Sequence, residues 1–265
     1  MSEQKAAVAK QVEEVFYQHR RRYGSRRIVA ELAAQGNPVG RFQVRSLMRR
    51  QKLQAIAPRR FVPRTTDSRH AYQVSPNLLM DGKNVARQAG EVIIGDITYL
   101  PLRSGKWSYL ATWQDTFTRR IVGWAVEARM TDELVTKAFA KAVEGGGITL
   151  NTIVHTDRGS QYVSHNFRAQ LQAHGCRQSM SRRANCWDNA QAESLFSRYK
   201  AELLEDGVFE DTGQARSETF SYIEGYYNRL RRHSALGYKS PEEFEREINL
   251  KKKGSSSESI VSGKT

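Results

Sequence analysis

The sequence predicts a central α/β domain with a small helical domain before it and a helical extension after it. Three observations support this prediction. Residues 1–56 carry apolar side chains at helical spacing, residues 90–205 alternate between strand-like and helical patterns, and residues 206–250 return to helical spacing. A length of 265 residues with 39% hydrophobic content allows one to three domains and a sizeable core.

Positive charge is concentrated at the front of the chain. Residues 1–70 contain 16 Lys and Arg against 5 Asp and Glu, which is +11 of the total of +14. Nucleic acid is the obvious polyanionic partner, and a solvated basic surface is the alternative that charge alone leaves open. No apolar run approaches the roughly 18 residues of a membrane span. The polar N-terminus has no signal-peptide core, so we expect a cytoplasmic protein without a membrane partner.

Residues 1–56 are predicted to form three helices. The first ends at Tyr23-Gly24, where the glycine closes it in the left-handed conformation, and Ser25 caps the second. The third helix runs from Arg41 to Leu53, and its predicted core residues are Phe42, Val44, Leu47 and Met48. Its outward residues are Arg41, Arg45, Arg49, Arg50 and Lys52. A basic third helix is typical of a helix-turn-helix domain, and a plain three-helix bundle is the alternative.

Two segments lack the periodicity of a folded element. Residues 57–89 contain prolines among several arginines and are predicted to be a basic linker that can also follow phosphates. Residues 251–265 are of low complexity and are predicted to be a disordered tail. The two cysteines, Cys176 and Cys186, match neither a zinc site nor a disulfide framework, and we interpret them as buried or loop thiols.

Residues 90–205 predict a meander followed by helix, strand, helix, strand and helix. We expect strands at 91–100, 107–114, 120–128, 152–155 and 177–180, and helices at 131–143, 166–173 and 189–203. This is the order of a ribonuclease-H-like domain, a mixed five-stranded sheet flanked by helices.

Three carboxylates stand out by their positions in that order. Asp96 lies inside the first strand, where an unpaired charge is costly unless a cation meets it. Asp157 directly follows the fourth strand, and the ends of adjacent strands converge. Glu193 lies 36 positions later, about one turn into the last helix. Three such acids are what a two-metal phosphoryl-transfer site requires, and oxygen ligands favour Mg²⁺ or Mn²⁺ over zinc.

Each acid also has an ordinary interpretation. Asp157 could lie in a surface turn, Glu193 could be a solvated helix residue, and Asp96 could be a lone capping side chain. Their joint occurrence in one fold order is much harder to explain by chance. A fourth acid, Asp188, has Gln191 three residues later, which resembles a capping box, so we interpret it as a helix cap rather than a ligand.

Several motifs around these acids resemble one known family. They are Asp96-Ile97-Thr98-Tyr99, His155-Thr156-Asp157-Arg158-Gly159-Ser160-Gln161-Tyr162, Ser179-Met180-Ser181-Arg182, Asn185-Cys186-Trp187-Asp188-Asn189-Ala190 and Tyr227-Asn228-Arg229, with Arg232-His233 and Leu236-Gly237-Tyr238. The set resembles the second-reading-frame (OrfB) transposase of the insertion-sequence-three family, within the retroviral-integrase superfamily. The resemblance covers almost the whole chain, from Tyr23 to Pro241.

The resemblance implies roles for particular residues. It implies that Asp96, Asp157 and Glu193 are the catalytic DDE triad and hold two Mg²⁺ ions, with Mn²⁺ as a possible substitute. It also implies that Lys200, two turns after Glu193, contacts the transposon end. The remaining candidate DNA contacts are Arg26, Arg27, Arg41, Arg45, Arg49, Arg50, Arg182 and Arg183. The family's tryptophan shortly before the first Asp is absent here, and Ala184 replaces a common glycine, which bears on local packing.

The resemblance further implies nicking of element ends and transfer of the freed 3′-hydroxyl to another phosphodiester. The implied partners are the terminal inverted repeats, target DNA, further copies of the chain in a synaptic complex, and an upstream-frame product joined as a fusion. The implied location is the bacterial nucleoid. A ribonuclease-H-type nuclease without strand transfer and a catalytically silent DNA-binding regulator are the alternatives. The basic front argues against the first and the intact triad against the second.

The C-terminal extension, residues 206–250, is predicted to pack against the catalytic domain. Its helical stripe is Phe220, Ile223, Tyr226, Tyr227 and Leu230, and a short helix follows at 241–248. Four basic residues are expected to extend the DNA surface: Arg229, Arg231, Arg232 and His233.

Overall fold

The computed structural model describes residues 3–58, 73–82, 84–182, 190–204 and 207–261, with the backbone alone for 81 and 253–261. The chain divides into two compact units. One comprises Met1–Arg60 with Ser197–Asp206, and the other comprises Phe61–Phe196 with Gly207–Thr265. Residues 197–204, which were predicted to belong to the α/β domain, therefore group with the N-terminal unit.

The N-terminal unit contains the three predicted helices. They are α1 (Glu3–Gln18), α2 (Ser25–Ala34) and α3 (Arg41–Arg50). Their fully or nearly fully buried side chains include Val12, Val15, Phe16, Ile28, Leu32, Val44, Leu47 and Met48. Because these residues recur at three- and four-residue spacing, each helix buries one stripe and exposes the opposite one.

The junctions of this unit differ from the prediction. α1 ends at Gln18, and the left-handed turn that follows is made by Arg20 and Arg21, whose φ angles are 49° and 62°. Gly24 has a φ of −87° and takes the N-cap position, so Ser25 is the first residue of α2 rather than its cap. No side chain caps α2, and the extended backbone of Gly24 alone starts the helix.

Phe42 is exposed, and its predicted place in the core is wrong. Its side chain is 84% exposed, whereas Val44, Leu47 and Met48 of the same helix are buried. At 100° per residue, Phe42 lies opposite these three, so the helix cannot bury all four. α3 also ends at Arg50, earlier than the predicted Leu53.

The second unit is built on a five-stranded sheet. The strands are β1 (Val92–Pro101), β2 (Trp107–Asp115), β3 (Ile121–Glu127), β4 (Ile153–Thr156) and β5 (Arg177–Met180). The helices that accompany them are α4 (Asp132–Glu144), α5 (His165–Ala173) and α6 (Ala190–Leu204). The order across the sheet is β3-β2-β1-β4-β5, antiparallel within the meander and parallel from β1 to β5. The predicted ribonuclease-H-like order is confirmed.

Trp113 is the centre of the main hydrophobic core. Its ring stacks on Phe167 with centroids 5.4 Å apart and meets Phe139 and Tyr162 edge-on at 5.7 and 5.9 Å. Trp113 pairs with Gly95 on β1, and a Cβ at Gly95 would lie 2.1 Å from the Trp113 ring. Glycine before Asp96 is therefore required by the packing of this tryptophan from β2.

Part of the predicted linker belongs to the second unit. Ser75 Oγ donates to Gln178 Oε1 at 2.7 Å, and the Leu78 amide donates to Ser179 Oγ at 2.9 Å. The Pro76 carbonyl accepts from the Met180 amide at 3.3 Å. These contacts attach the described linker residues to β5, which lies at one edge of the sheet.

The C-terminal extension packs on the same unit, as predicted. It comprises α7 (Thr212–Phe220), a π-helix (Ser221–Tyr227), a 3₁₀ turn (Ser234–Leu236) and α8 (Pro241–Val261). Asn228 Oδ1 accepts from the Ile121 amide and its Nδ2 donates to the Ile121 carbonyl, both at 3.0 Å. Asn228 thus pairs with the backbone of β3 as a neighbouring strand would.

Three details of the extension differ from the prediction. Phe220 and Leu230 are more than half exposed, so only the middle of the predicted stripe is buried. Arg231 is 1% exposed and therefore belongs to the interior rather than to a DNA surface. α8 continues to Val261, through residues expected to be disordered. Composition does not explain this length, because Gly254 and the serines after it are poor helix formers.

Within the described residues, no helix is both long and apolar enough to cross a membrane.

Replacing Gly95 by Ala should destabilise the catalytic unit, because the added Cβ collides with a rigid indole rather than with a flexible side chain. We expect a loss of about 1–3 kcal/mol, the usual cost of overpacking a core. Gly225→Ala is the matched control, because nothing lies within 4 Å of its added Cβ. Chemical denaturation measures both variants, and equal stability of Gly95→Ala and wild type would contradict the packing described for Trp113.

Candidate active site

The register of the sheet brings Asp96 and Asp157 side by side. β1 and β4 are parallel, with Ile94 opposite His155. Asp96 and Asp157 each lie two residues further along, so they reach the same level on the two adjacent segments. The backbones of neighbouring strands are about 4.8 Å apart. Because side chains alternate between faces, both carboxylates lie on the face opposite the core residue Ile93.

Backbone amides orient both carboxylates. Asp96 Oδ1 accepts from the Ile97 amide at 2.8 Å, and Asp157 Oδ1 accepts from the Gly159 amide at 2.9 Å. Both aspartates are partly buried. Gly159 is confined by its surroundings, since an added Cβ would lie 3.1 Å from Asp157 Oδ1. Glycine after Asp157 therefore keeps room beside the carboxylate.

Tyr162 approaches this pair from the core side. It lies in a short 3₁₀ helix, Ser160–Val163, that follows Asp157, and its side chain is 2% exposed. Burial raises the pKa of its hydroxyl well above the usual value, and the negative charges of Asp96 and Asp157 raise it further. The hydroxyl group therefore keeps its proton at neutral pH.

The first turn of α6 is fixed to the face of the sheet that carries Asp96. Gln191 Nε2 donates to Gln114 Oε1 at 3.0 Å, and Gln114 Nε2 donates to the Tyr227 hydroxyl at 2.7 Å. Gln114 pairs with Ile94 on β1 and so shares the face of Asp96. The C-terminal extension is thereby connected to the start of α6.

Glu193 lies in that first turn and is exposed. Partial burial of its carboxyl raises its pKa above the usual value. Among the residues described here, however, no three His, Cys, Asp or Glu side chains are close enough together to hold a metal ion. The structure thus brings Asp96 and Asp157 together and places Glu193 on the helix that covers their face, without joining it to them.

Two other reactive groups have structural roles. Asp115 is buried, and its Oδ1 accepts from the amides of Phe117 and Thr118 while its Oδ2 accepts from the Gly90 amide at 2.7 Å. Its oxygens are therefore committed to shaping the turn after β2. Burial raises the pKa of the Cys176 thiol to about 11, so it stays protonated at neutral pH. Cys186 lies outside the described residues.

The candidate DNA contacts fall in several places. Exposed side chains belong to Arg26, Arg41, Arg45, Arg49, Arg50 and Arg182. Arg27 is partly buried with its guanidinium 5.7 Å from the centre of the Tyr23 ring, and Lys200 is partly buried in α6. Arg183 and the predicted cap Asp188 lie outside the described residues.

Sequence reasoning missed three residues near the site. Tyr162 appeared only as part of a motif, and Gln191 appeared only as part of the capping box suggested for Asp188. Gln114 carried no signal beyond being polar at the end of a strand. The one available signal for Gln114 was its position as a polar residue beside Asp115 at the end of a predicted strand. No local pattern could have paired it with Tyr227, because 113 positions separate the two.

Family models match along most of the chain. A model described as an HTH-like domain matches residues 3–61, and models described as integrase core domain match residues 86–186 and 174–241. Among solved structures, similar chains occur in the intasome of simian T-cell lymphotropic virus and in the magnesium complex of the HTLV-2 integrase catalytic core. The first is 16% identical, with a TM-score of 0.46, and covers 89% of this chain and 74% of that chain. The second is 17% identical, with a TM-score of 0.42, and covers 61% of this chain and 98% of that chain.

Curated relatives match over most of the chain. The transposase for insertion sequence element IS904 of Lactococcus lactis is 38% identical over 239 residues, covering 90% of this chain and 93% of the relative. Transposase InsF for insertion sequence IS3A of Escherichia coli is 42% identical over 230 residues, covering 87% of this chain and 79% of the relative. With these relatives, an HTH-like match and integrase-core matches, this chain belongs to the insertion-sequence-three family of bacterial DDE transposases, which are DNA-cutting and DNA-joining polynucleotidyl transferases.

Proposed function

We propose that Asp96, Asp157 and Glu193 are the catalytic triad that nicks the element's ends and joins the freed 3′-hydroxyl to another phosphodiester. The observation that carries this assignment is the β1–β4 register, which sets Asp96 and Asp157 at one level on one face. The first turn of α6, with Glu193, is held to that face through Gln114. The similarity of this chain to a transposase along most of its length favours strand transfer over simple hydrolysis.

The donor set fits hard divalent cations. Asp96, Asp157 and Glu193 offer carboxylate oxygens, which suit Mg²⁺ and Mn²⁺ and not the softer metals that select Cys or His. Two bound ions would lower the pKa of the attacking hydroxyl and stabilise the leaving oxygen. Three neighbouring carboxylates repel each other, and a cation offsets that repulsion. We therefore propose that the Glu193 side chain moves toward the two aspartates and becomes the third carboxylate ligand when a cation is bound.

The same residues can serve both chemical steps. In the first, water attacks a phosphodiester at the element end, which leaves a 3′-hydroxyl and a 5′-phosphate. In the second, that 3′-hydroxyl attacks another phosphodiester and displaces its 3′-oxygen, so one bond forms as one breaks. No side chain becomes covalently attached, because the nucleophile is an oxygen of water or DNA in each step. In both steps the carboxylates would hold the cations, which would supply the positive charge that orients the reacting phosphate.

α3 is the proposed DNA-reading helix. Its exposed face is centred on Phe42, with Arg45 and Arg49 three and seven residues later on the same side. Arginines there can contact phosphates or guanine edges, and an aromatic ring can contact a thymine methyl group. Arg26, Arg27, Arg41, Arg50, Arg182 and Arg183 are proposed backbone contacts. Lys200, two turns after Glu193, is the proposed contact to the terminal nucleotides.

The proposed partners follow from the reaction. The substrates are the terminal inverted repeats of the element and a target DNA, which places the protein at the nucleoid. Two ends must be cut and joined in concert, so we propose that several copies assemble in a synaptic complex. An upstream-frame product, joined as a fusion, would supply further DNA-binding and assembly segments.

The triad assignment predicts that Asp96→Asn, Asp157→Asn and Glu193→Gln each lower cleavage and joining of element-end DNA by at least about 100-fold, because each variant loses a carboxylate that would hold the cations stabilising the reacting phosphate. Glu133→Gln, an exposed carboxylate on α4, is the matched control. Gel assays in Mg²⁺ with circular dichroism as a folding check measure this. Near-normal strand transfer by any one of the three variants would remove that residue from the site.

The α3 assignment predicts a change in the salt dependence of DNA binding. The double variant Arg45→Ala/Arg49→Ala should reduce the slope of log K against log salt by about two, since each phosphate contact contributes about 0.9. Lys5→Ala/Lys10→Ala on α1 removes the same charge from another exposed surface and should change the slope less. Equal slopes for the two double variants would mean that α3 is not the DNA-binding helix.

The hydrogen-bonded chain from Gln191 to Tyr227 predicts coupled effects on cleavage. Tyr227→Phe removes one of the two acceptors of Gln114 Nε2, the other being the Arg119 carbonyl, and should cost about 1 kcal/mol of stability. It should also slow cleavage several-fold while leaving DNA binding unchanged, because the turn that carries Glu193 loses support. Tyr222→Phe, in the same π-helix, is the control. In a double-mutant cycle with Gln191→Ala, strictly additive effects on the cleavage rate would show that the two residues do not act together.

A further inference from the structure

Three aromatic side chains contact one another at the end of the β1–β2 hairpin. Tyr99 pairs with Tyr109 across the two strands, and their ring centroids lie 5.1 Å apart. Trp107 meets Tyr99 edge-on, with centroids 5.9 Å apart. Trp107 is 49% exposed, and both tyrosines are partly exposed. A single exposed aromatic residue is ordinary, but three in mutual contact form a continuous apolar surface. We call this surface the hairpin platform.

The end of the hairpin is held in place by the C-terminal extension. Ser108 points away from the platform, and its hydroxyl lies 2.7 Å from the Thr212 hydroxyl at the start of α7. The Arg103 amide donates to the Phe209 carbonyl at 2.8 Å, and the Arg103 guanidinium meets Glu210 at 2.7 Å. The platform is therefore part of a fixed strand pair, so little conformational freedom is lost when a ligand packs on it.

Two exposed basic residues border the platform. Lys106 directly precedes Trp107 in the hairpin turn. The β2–β3 register sets Glu127 opposite Tyr109, which brings Arg129, two residues later, near the level of Trp107. Glu127 already has a lysine partner at 3.0 Å, whereas neither Lys106 nor Arg129 forms an ion pair within the part of the chain that the structure describes. Both cations are therefore available to an anionic ligand.

Aromatic rings beside cations suit single-stranded DNA. Each unpaired base has a π face that stacks on an aromatic ring, and the phosphates of the same strand are attracted to neighbouring lysine and arginine side chains. The platform also lies close to the proposed site along the chain. Tyr99 is three residues beyond Asp96 on β1, about 10 Å further along the strand and on the opposite face of the sheet. A DNA strand covers such a distance in a few nucleotides.

We propose that the hairpin platform binds an unpaired base of the DNA strand that leaves the active site, through stacking on Trp107 and Tyr99, with Lys106 and Arg129 contacting its phosphates. This inference deepens the proposed function and rests on it for the position of the active site. Stacking does not depend on base identity, because every base has a π face. The platform therefore holds flanking DNA of any sequence, whereas α3 is the proposed reader of the element end.

The test compares binding of an oligothymidylate with binding of duplex DNA of the same length, by fluorescence anisotropy without divalent cations. All variants are made in the full-length Arg45→Ala/Arg49→Ala protein, so that α3 contributes little to either affinity. Trp107→Ala should weaken oligothymidylate binding about tenfold, as expected for the loss of one stacking ring, and should change duplex binding less than about twofold. Trp107→Phe should keep most of the affinity, because a phenyl ring still stacks. Phe220→Ala removes an equally exposed aromatic ring from α7 and should change neither affinity.

The two cations give a second measurement, which leaves the aromatic rings intact. Lys106→Ala/Arg129→Ala should reduce the slope of log K against log salt for oligothymidylate by about 1.4, since each single-strand phosphate contact contributes about 0.7. Both side chains are exposed, so this variant should keep the Tm of its parent. An unchanged slope would overturn the inference even if Trp107→Ala failed to fold.

The remaining outcomes separate the platform from the triad. Equal losses of affinity for the two DNAs in Trp107→Ala, or no loss for oligothymidylate, would overturn the inference. Unchanged DNA affinity with a smaller sedimentation coefficient would also overturn it, because the platform would then join copies of the chain. The measurement needs neither a cation nor cleavage. Lost cleavage in Asp96→Asn beside unchanged oligothymidylate affinity in Trp107→Ala would therefore overturn the platform alone, and the reverse pair of results would overturn the triad alone.

Discussion

The parallel pairing of β1 with β4 is the constraint on which the rest of the site depends. The pairing joins Val92–Ile94 to Ile153–His155, and both chains then continue by two residues to an aspartate. A slip of one residue would turn one carboxylate to the opposite face, since strand side chains alternate. The core fixes this register, because Ile93 and Val154 are buried in the cluster that surrounds Trp113. Apolar packing on one face thus determines where the charges lie on the other.

The C-terminal extension packs against the edge of the same sheet that is formed by β3. Asn228 satisfies both the amide and the carbonyl of Ile121 on β3, and Tyr227, one residue earlier, accepts from Gln114 on β2. The motif that contains these residues therefore has a physical role within the catalytic unit. It closes the edge of the sheet and connects to Gln191 in the turn that carries Glu193. The extension is part of the structure that positions the site.

Sequence patterns predicted the order of elements well because that order is recorded in local periodicity. The alternation of β1 to β3, the apolar stripe of α4 and the glycines that follow it are readable residue by residue. The same patterns predicted that Asp96 lies inside the first strand and that Asp157 directly follows the fourth, as the structure has them. What the patterns could not give was the partner of a residue distant along the chain. The pairing of Gln114 with Tyr227 and the enclosure of the Tyr162 hydroxyl depend on how elements pack.

Phe42 shows that an apolar residue in a predicted helix need not belong to its buried face. Four apolar residues in α3 suggested one core stripe, yet helical geometry permits only Val44, Leu47 and Met48 to share it. The linker shows a similar limit, because its prolines indicate only an irregular backbone. Its attachment to β5 through Ser75, Pro76 and Leu78 comes from edge hydrogen bonds that no composition reveals.

The central claim is that Asp96 within β1 and Asp157 directly after β4, completed by Glu193, form the cation site of a DNA-joining enzyme. Crystals of the wild-type protein with element-end DNA and Mn²⁺, measured for anomalous scattering, test it most directly. The account predicts anomalous peaks at a site where Asp96, Asp157 and Glu193 would all serve as ligands. Anomalous peaks bound elsewhere on the protein, or a Mn²⁺ site from which Asp96 or Asp157 is absent, would contradict it.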